Sequence, residues 1–260
     1  MLSRTRVLIL AHVAATAGAV GTFGLSALSV GIPTVFLALF ADGVFRAGSS
    51  ILYPTATHGP RGSKRVALSF DDGPDPEVTP AVLDALARHG ARATFFTIGQ
   101  SLDAHPRLAR RLLSEGHELG NHSWRHSRWD SFRGVHEQAQ EIERGERAIA
   151  ATAGRPAQPL YRPPFGIKSP QLVLAASERR LVMVAWSLHS RDTHARDPKW
   201  IAERVLKRIR PGDIVLMHDG HDLPGRHRPA CAPAVSLILQ GLREKQLECV
   251  TVSELLHAPN

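Results

Sequence analysis

The run Ser69-Phe70-Asp71-Asp72-Gly73-Pro74 places two carboxylates side by side and follows them with turn residues. Like charges that close raise one another's pKa unless a cation or hydrogen-bond donors offset them, so a metal engaging one carboxylate would resolve the conflict. A solvated surface turn of the same composition needs no metal, and this run alone fits either reading. Farther on, His122-Ser123-Trp124-Arg125-His126 sets two imidazoles four residues apart, a spacing that lets both reach one ion across a single helical turn. Two imidazoles and a carboxylate leave coordination positions open for water and substrate. In a chain with 14 histidines such a pair also arises by chance. What raises its weight is company: Arg162-Pro163-Pro164-Phe165 and Ile214-Val215-Leu216-Met217-His218 follow in order.

Each of these groups comes just after a short apolar run. Strands are expected over residues 66–70, 93–98, 118–121, 160–162, 181–186, 213–218 and 248–251. Helices are expected between them, over 79–89, 106–115, 135–153, 170–180, 198–209 and 233–245. Strand and helix alternate, which implies a parallel sheet with helices outside it, either an open doubly wound sheet or a barrel. Seven strands suit a distorted (β/α)7, TIM-like barrel. In such a barrel the C-terminal strand ends share one rim, so Asp71, Asp72, His122, Arg162 and His218 would converge on one pocket.

The order of these motifs resembles that of the polysaccharide deacetylase family, also called the NodB homology domain or carbohydrate esterase family 4, over residues 65–256. The resemblance implies a hydrolase that removes N-acetyl groups from an amino-sugar polymer such as peptidoglycan or a chitin-like glycan. It implies Asp72, His122 and His126 as ligands of a divalent metal, zinc by default, and Asp71 as the base that takes a proton from the attacking water. It further implies His218 as the acid that protonates the departing amine, Arg162 as the partner of the base, and the backbone amide of Phe165 as the oxyanion donor. A donor of that kind contributes roughly 3 to 4 kcal/mol when it meets the developing charge. O-deacetylation of a glycan ester, hydrolysis of a small amide, and glycan binding without turnover stand as alternatives.

One motif departs from the family pattern. After Trp186 the family often carries Asp-x-x-Asp-Trp, whereas this chain reads Ser187-Leu188-His189-Ser190-Arg191-Asp192-Thr193. His189 stands in place of the first aspartate and Thr193 in place of the tryptophan, while Asp192 is kept. An imidazole acting as an acid needs a partner that favours its protonated form, so Asp192, rather than His189, is expected to contact His218.

Residues 7–41 contain no Asp, Glu, Lys or Arg, and Arg4 and Arg6 stand just before them. As one helix that stretch would run about 50 Å, longer than a hydrocarbon core of about 30 Å, so a break is expected at Gly31-Ile32-Pro33. The segment reads as residues 1–46 forming a membrane anchor, with 7–30 as the span. A two-helix hairpin, or a signal cleaved near Ala17-Gly18-Ala19, are the other options. Residues 47–64, rich in Gly, Ser, Pro and Thr, read as a linker, and 65–257 as the catalytic domain. A single crossing would place that domain outside the cytoplasm, in the cell envelope.

The net charge of +8 favours an anionic surface. The cations, however, are scattered in pairs such as Arg110-Arg111 and Arg179-Arg180, with no aromatic-interleaved stripe, so a nucleic-acid partner is not expected. Two cysteines, Cys231 and Cys249, exclude a four-thiolate zinc site and a disulfide scaffold; they read as two small thiols or at most one disulfide.

Overall fold

The computed structural model describes residues 25–221 and 228–258. All ladders of its sheet are parallel. In chain order the strands are β1 (Thr55–Ala56), β2 (Arg65–Asp71), β3 (Thr94–Thr97), β4 (Glu118–Asn121), β5 (Leu160–Tyr161), β6 (Val182–Val184), β7 (Leu188–His189), β8 (Ile214–His218) and β9 (Glu248–Val250). They run β1-β6-β5-β4-β3-β2-β8-β7, and β9 pairs with the start of β2. No ladder joins β6 to β7. Residues 185–187 join them only along the chain, and on the far side of β7 Ser187 N–H donates to the Ile214 carbonyl at 3.1 Å and Ser190 N–H to that of Leu216 at 3.1 Å, tying β7 to β8. The result is a curled, incompletely laddered barrel, as expected of a distorted (β/α)7 fold.

Strand alternation builds two cores from one sequence. On β2, Val66, Leu68 and Phe70 face the helix layer, and Ala67 faces the interior with Phe96, Val184, Ile214 and Val250. Outside lie α2 (Thr79–Arg88), α3 (Gly99–Ala104), α4 (Pro106–Ser114), α5 (Val135–Ala153), α6 (Pro170–Glu178), α7 (Pro198–Leu206) and α8 (Cys231–Glu244). Five of them, α2, α4, α6, α7 and α8, carry proline within the first three positions, where its missing N–H has no intrahelical partner to lose. The last helix, α9 (Val252–Leu256), starts on a Thr251–Glu254 capping box. Its Val252 N–H donates to Thr94 Oγ1 at the start of β3, so it plugs the end of the barrel opposite the strand C-termini.

Three expectations need correcting. The sheet has two strands more than expected among the described residues, because β1 lies inside the stretch read as a linker and the stretch 181–186 supplies only β6, with β7 following. Residues 47–64 are built into the domain: β1 pairs with β6, and Gly59 N–H donates to the Gly212 carbonyl at 2.8 Å. Gly, Ser and Pro there suit tight docking as well as a free tether, and composition does not separate the two. Thirdly, the chain does not break at Pro33. Helix α1 (Leu25–Phe45) runs through it, and nearby Thr34 Oγ1 donates to the Val30 carbonyl at 2.7 Å. An interior proline removes one amide bond and crowds the carbonyl four residues back, which can kink a helix without ending it. Among the described residues no helix is long and apolar enough to cross a membrane. Most of the span expected over 7–30, and the site at Ala17-Gly18-Ala19, lie outside the described residues. Both cysteines are free thiols, Cys231 buried and Cys249 partly so.

Candidate metal centre and acid–base pair

Asp71 ends β2 facing the interior, and regular alternation would send Asp72 to the opposite side. It does not go there, because Asp72 leaves the strand in the left-handed region, with φ 74°. Both carboxylates thus approach the same imidazole: His122 Nε2 lies 3.7 Å from Asp71 Oδ2 and 3.7 Å from Asp72 Oδ1. His126 Nε2 lies 3.4 Å from Asp72 Oδ1. One ligand atom each from Asp72, His122 and His126 fall within 4.8 Å of one another, all three residues buried.

The two histidines meet by a different route from the helical turn expected. Residues 122–126 form a loop in which Ser123 (φ 68°) and His126 (φ 52°) are left-handed. Such backbone costs on the order of 1–3 kcal/mol per residue and persists where surroundings hold it. Here Asn121 Oδ1 accepts from Ser123 N–H at 2.9 Å, and Ser123 Oγ accepts from His126 N–H at 3.0 Å. Asn121 in turn needs Gly145 on α5, since a Cβ there would sit 2.3 Å from its Oδ1. His122 Nδ1 is 2.6 Å from the Arg162 carbonyl, which can only accept. That fixes the proton on Nδ1 and turns the Nε2 lone pair toward the cluster, as metal-binding histidines require.

Arg162 is fully buried. Its Nη1 donates to Asp71 Oδ1 at 2.6 Å, and Nε and Nη2 donate to the carbonyls of Val184 and Ala185. Burial is the largest single influence and would raise the pKa of Asp71, but the charge and hydrogen bond of Arg162 together with His122 and His218 outweigh it, and the carboxyl stays below its usual range. One oxygen of Asp71 is thus committed to Arg162 and the other faces His122. Phe165, also left-handed (φ 56°), lays its ring 4.6 Å from that of His126.

Across the site, His218 Nδ1 lies 3.0 Å from Asp192 Oδ1, and Asp192 Oδ2 accepts from the His218 backbone N–H at 2.7 Å. Burial would lower the pKa of His218; Asp192 chiefly, with Asp72 and Asp71, reverses this and pushes it up to about 9. His189 behaves in the opposite way. Its ring centroid is 6.0 Å from that of His218, its Nδ1 accepts from Arg191 N–H at 2.9 Å, and burial pulls its pKa down to about 4. The structure therefore sets Asp192, and not His189, against His218. Beside this pair a cavity of about 650 Å³ opens, lined in part by Asp192, Thr193, Arg196 and Arg228.

Two neighbours had no role assigned from the sequence. Arg228 donates to the Gly220 carbonyl at 2.7 Å and reaches within 3.6 Å of Asp72 Oδ2 from a loop with no periodic signal. Asp219, fully buried, accepts from Thr79 Oγ1 at 2.6 Å; burial first, and Asp72 with it, raise its pKa to about 7. Its position directly after His218 at a strand end was the available sign. His221 lies beside the cavity.

A parallel curled sheet with an Asp-His-His cluster at its strand ends defines a hydrolase-type centre, and the comparisons agree. Residues 58–184 match the family model for polysaccharide deacetylases. The chain is 38% identical over 199 residues to a peptidoglycan-N-acetylglucosamine deacetylase of Bacillus cereus, covering 76% of this chain and 90% of that one. It is 39% identical over 178 residues to a chitooligosaccharide deacetylase of Bradyrhizobium, covering 67% and 78%. The crystal structure of the Bc1960 peptidoglycan N-acetylglucosamine deacetylase superposes with a TM-score of 0.72 at 32% identity, over 79% of this chain and 94% of that one. The chain belongs to the polysaccharide deacetylase family and is a hydrolase of that class.

Proposed function

We propose that this protein removes N-acetyl groups from an N-acetylglucosamine-containing glycan, peptidoglycan or a chitin-like polymer, in a reaction that depends on a divalent cation held by Asp72, His122 and His126. The observation that carries the reading is the convergence of those three side chains between Asp71 on one side and the protonated His218 on the other. Two imidazoles with a carboxylate suit zinc, and His122 already has its second nitrogen anchored. A cation there would supply Lewis acidity for the acyl carbonyl and make water more acidic. Asp71, ionised and steered by Arg162, accepts a proton through Oδ2. The backbone amide of Phe165 meets the developing oxyanion. His218, charged at neutral pH, donates to the leaving nitrogen.

That last step favours amide over ester hydrolysis. An amine is a poor leaving group until protonated, whereas an alkoxide departs with less help, and a His218 held protonated up to about pH 9 suits the former. The N-acetylglucosamine deacetylases among the relatives support the same choice. Retention of the base, the acid and all three candidate ligands speaks against a binding protein without turnover. The test is acetate release from a panel of chitooligosaccharides, peptidoglycan and O-acetylated xylan, with chelator and with zinc added back. Release from the first two, lost on chelation and restored by zinc, is expected; release from xylan alone would replace the reading with an esterase.

The N-terminal segment is proposed to attach the domain to a membrane with the site in the cell envelope. The charge-free sequence of residues 7–41 supports this, as do the exposed Val30, Ile32, Phe36 and Leu37 of α1. Release of the full chain from membranes by carbonate instead of detergent would count against it.

A further inference from the structure

Lys168 is the one fully buried lysine among the described residues, and its ammonium faces carbonyls, not a carboxylate. Nζ donates to the carbonyl oxygens of Ala47 at 2.6 Å, Ser49 at 2.6 Å and Arg46 at 3.2 Å, with Thr55 Oγ1 at 3.4 Å. Its own backbone N–H donates to the Val44 carbonyl at 2.9 Å. Side chain and main chain of one residue therefore grip the turn that follows α1. Burying an ammonium is expensive unless its donors are met, and here three carbonyls meet them. Asp42 stands nearby but is engaged by Arg46 and by Ser49 Oγ at 2.7 Å, which closes the same turn from its other side.

The grip lies three residues beyond Phe165. Between them Gly166, left-handed at φ 69°, packs so closely on residue 47 that a Cβ would sit 2.6 Å from that of Ala47 and 3.3 Å from the Trp186 ring. The Phe165 backbone is itself strained, so something outside the loop must hold it. Residues 42–49 are the packed neighbour in position to do so.

We propose that the turn at residues 42–49, clamped by Lys168, is a positioning element that fixes the Phe165–Gly166 backbone for transition-state stabilisation, so that this turn is part of the catalytic unit. This rests on the proposed role of the Phe165 amide. Lys168 acts through the loop and touches no reacting atom. An oxyanion donor acts on the transition state and not on bound substrate, so slackening it lowers kcat and leaves KM in place.

The full chain serves as the test, with Lys168→Met removing the ammonium at similar length and Ala47→Val pressing on Gly166 while keeping the clamp. A control, Val205→Ala in buried α7, loosens the fold away from the site. For each, Tm, zinc content, kcat and KM on a chitooligosaccharide are measured. Lys168→Met and Ala47→Val should each lower kcat by about tenfold, a fraction of the 10²–10³ expected for losing a donor outright, with KM within about twofold and zinc content unchanged. Val205→Ala, even at a comparable loss of Tm, should keep kcat. Should Lys168→Met fail to fold, Ala47→Val decides alone. The proposal is overturned if kcat per folded molecule stays within twofold of the parent in the variants that fold, or falls no further than in Val205→Ala. Absence of acetate release from the parent chain would instead strike the functional reading.

Discussion

The two walls of the site are built on different plans. On the metal side, Asp72, Ser123, His126 and Phe165 all hold left-handed backbone, and the side chains of Asn121 and Ser123 brace the loop that carries His126. On the acid side, Arg191 alone is left-handed among the described residues, and two of the positions that the family pattern fills with Asp and Trp carry His189 and Thr193. Yet His218 still has a carboxylate at 3.0 Å, because Asp192 grips both its ring and its backbone amide. A strained constellation that must aim three side chains at one point admits little change. A charge partner needs only one short contact, and one suitably placed aspartate provides it.

This contrast can be broken or sharpened by mutation, beginning where the effect should be greatest. Asp72→Asn should remove zinc and acetate release together, with affinity lowered by more than about 100-fold, since even partners one step removed from a metal cost 10–100-fold. Asp71→Asn should keep zinc content and lose about 10²–10⁴ in kcat, because the amide cannot accept a proton. Equal loss of metal in that variant would make Asp71 a ligand and redraw the metal wall.

On the acid wall the expected effects are smaller and show in pH dependence. His218 is protonated below its raised pKa of about 9 and loses its proton above it, so kcat should decline along a basic limb near that value. In Asp192→Asn the largest cause raising that pKa is gone while burial still lowers it, so the limb should move to lower pH and kcat at neutral pH should fall by about tenfold. An unshifted limb would sever Asp192 from the acid. Smallest of all, His189→Ala should change kcat by less than about threefold, because an imidazole neutral at that pH adds no charge to its neighbour. A large loss there would point to a histidine relay.

How much of this was legible beforehand varies with the kind of interaction. Asp71, Asp72, His122, Arg162 and His218 were readable because each follows an apolar run whose period marks a strand, and strand ends in a parallel barrel meet by topology. The pairing of Asp192 with His218 was readable from charge alone. Arg228 and Lys168 were not, since a cation in an aperiodic loop looks the same whether it is solvated or buried against carbonyls.

The sequence by itself therefore determined the strand–helix alternation, the identity of the groups at the rim and the acid–base complement they offer, all of which depend on local periodicity and residue chemistry. Tertiary structure alone decided that Asp72 turns back toward His122, that His126 reaches the same point from a loop, that the barrel leaves β6 and β7 unladdered, and that residues 47–64 are docked. Left-handed backbone is unfavourable in isolation and is kept only by contacts from distant segments, and those contacts exist only after the chain has closed on itself.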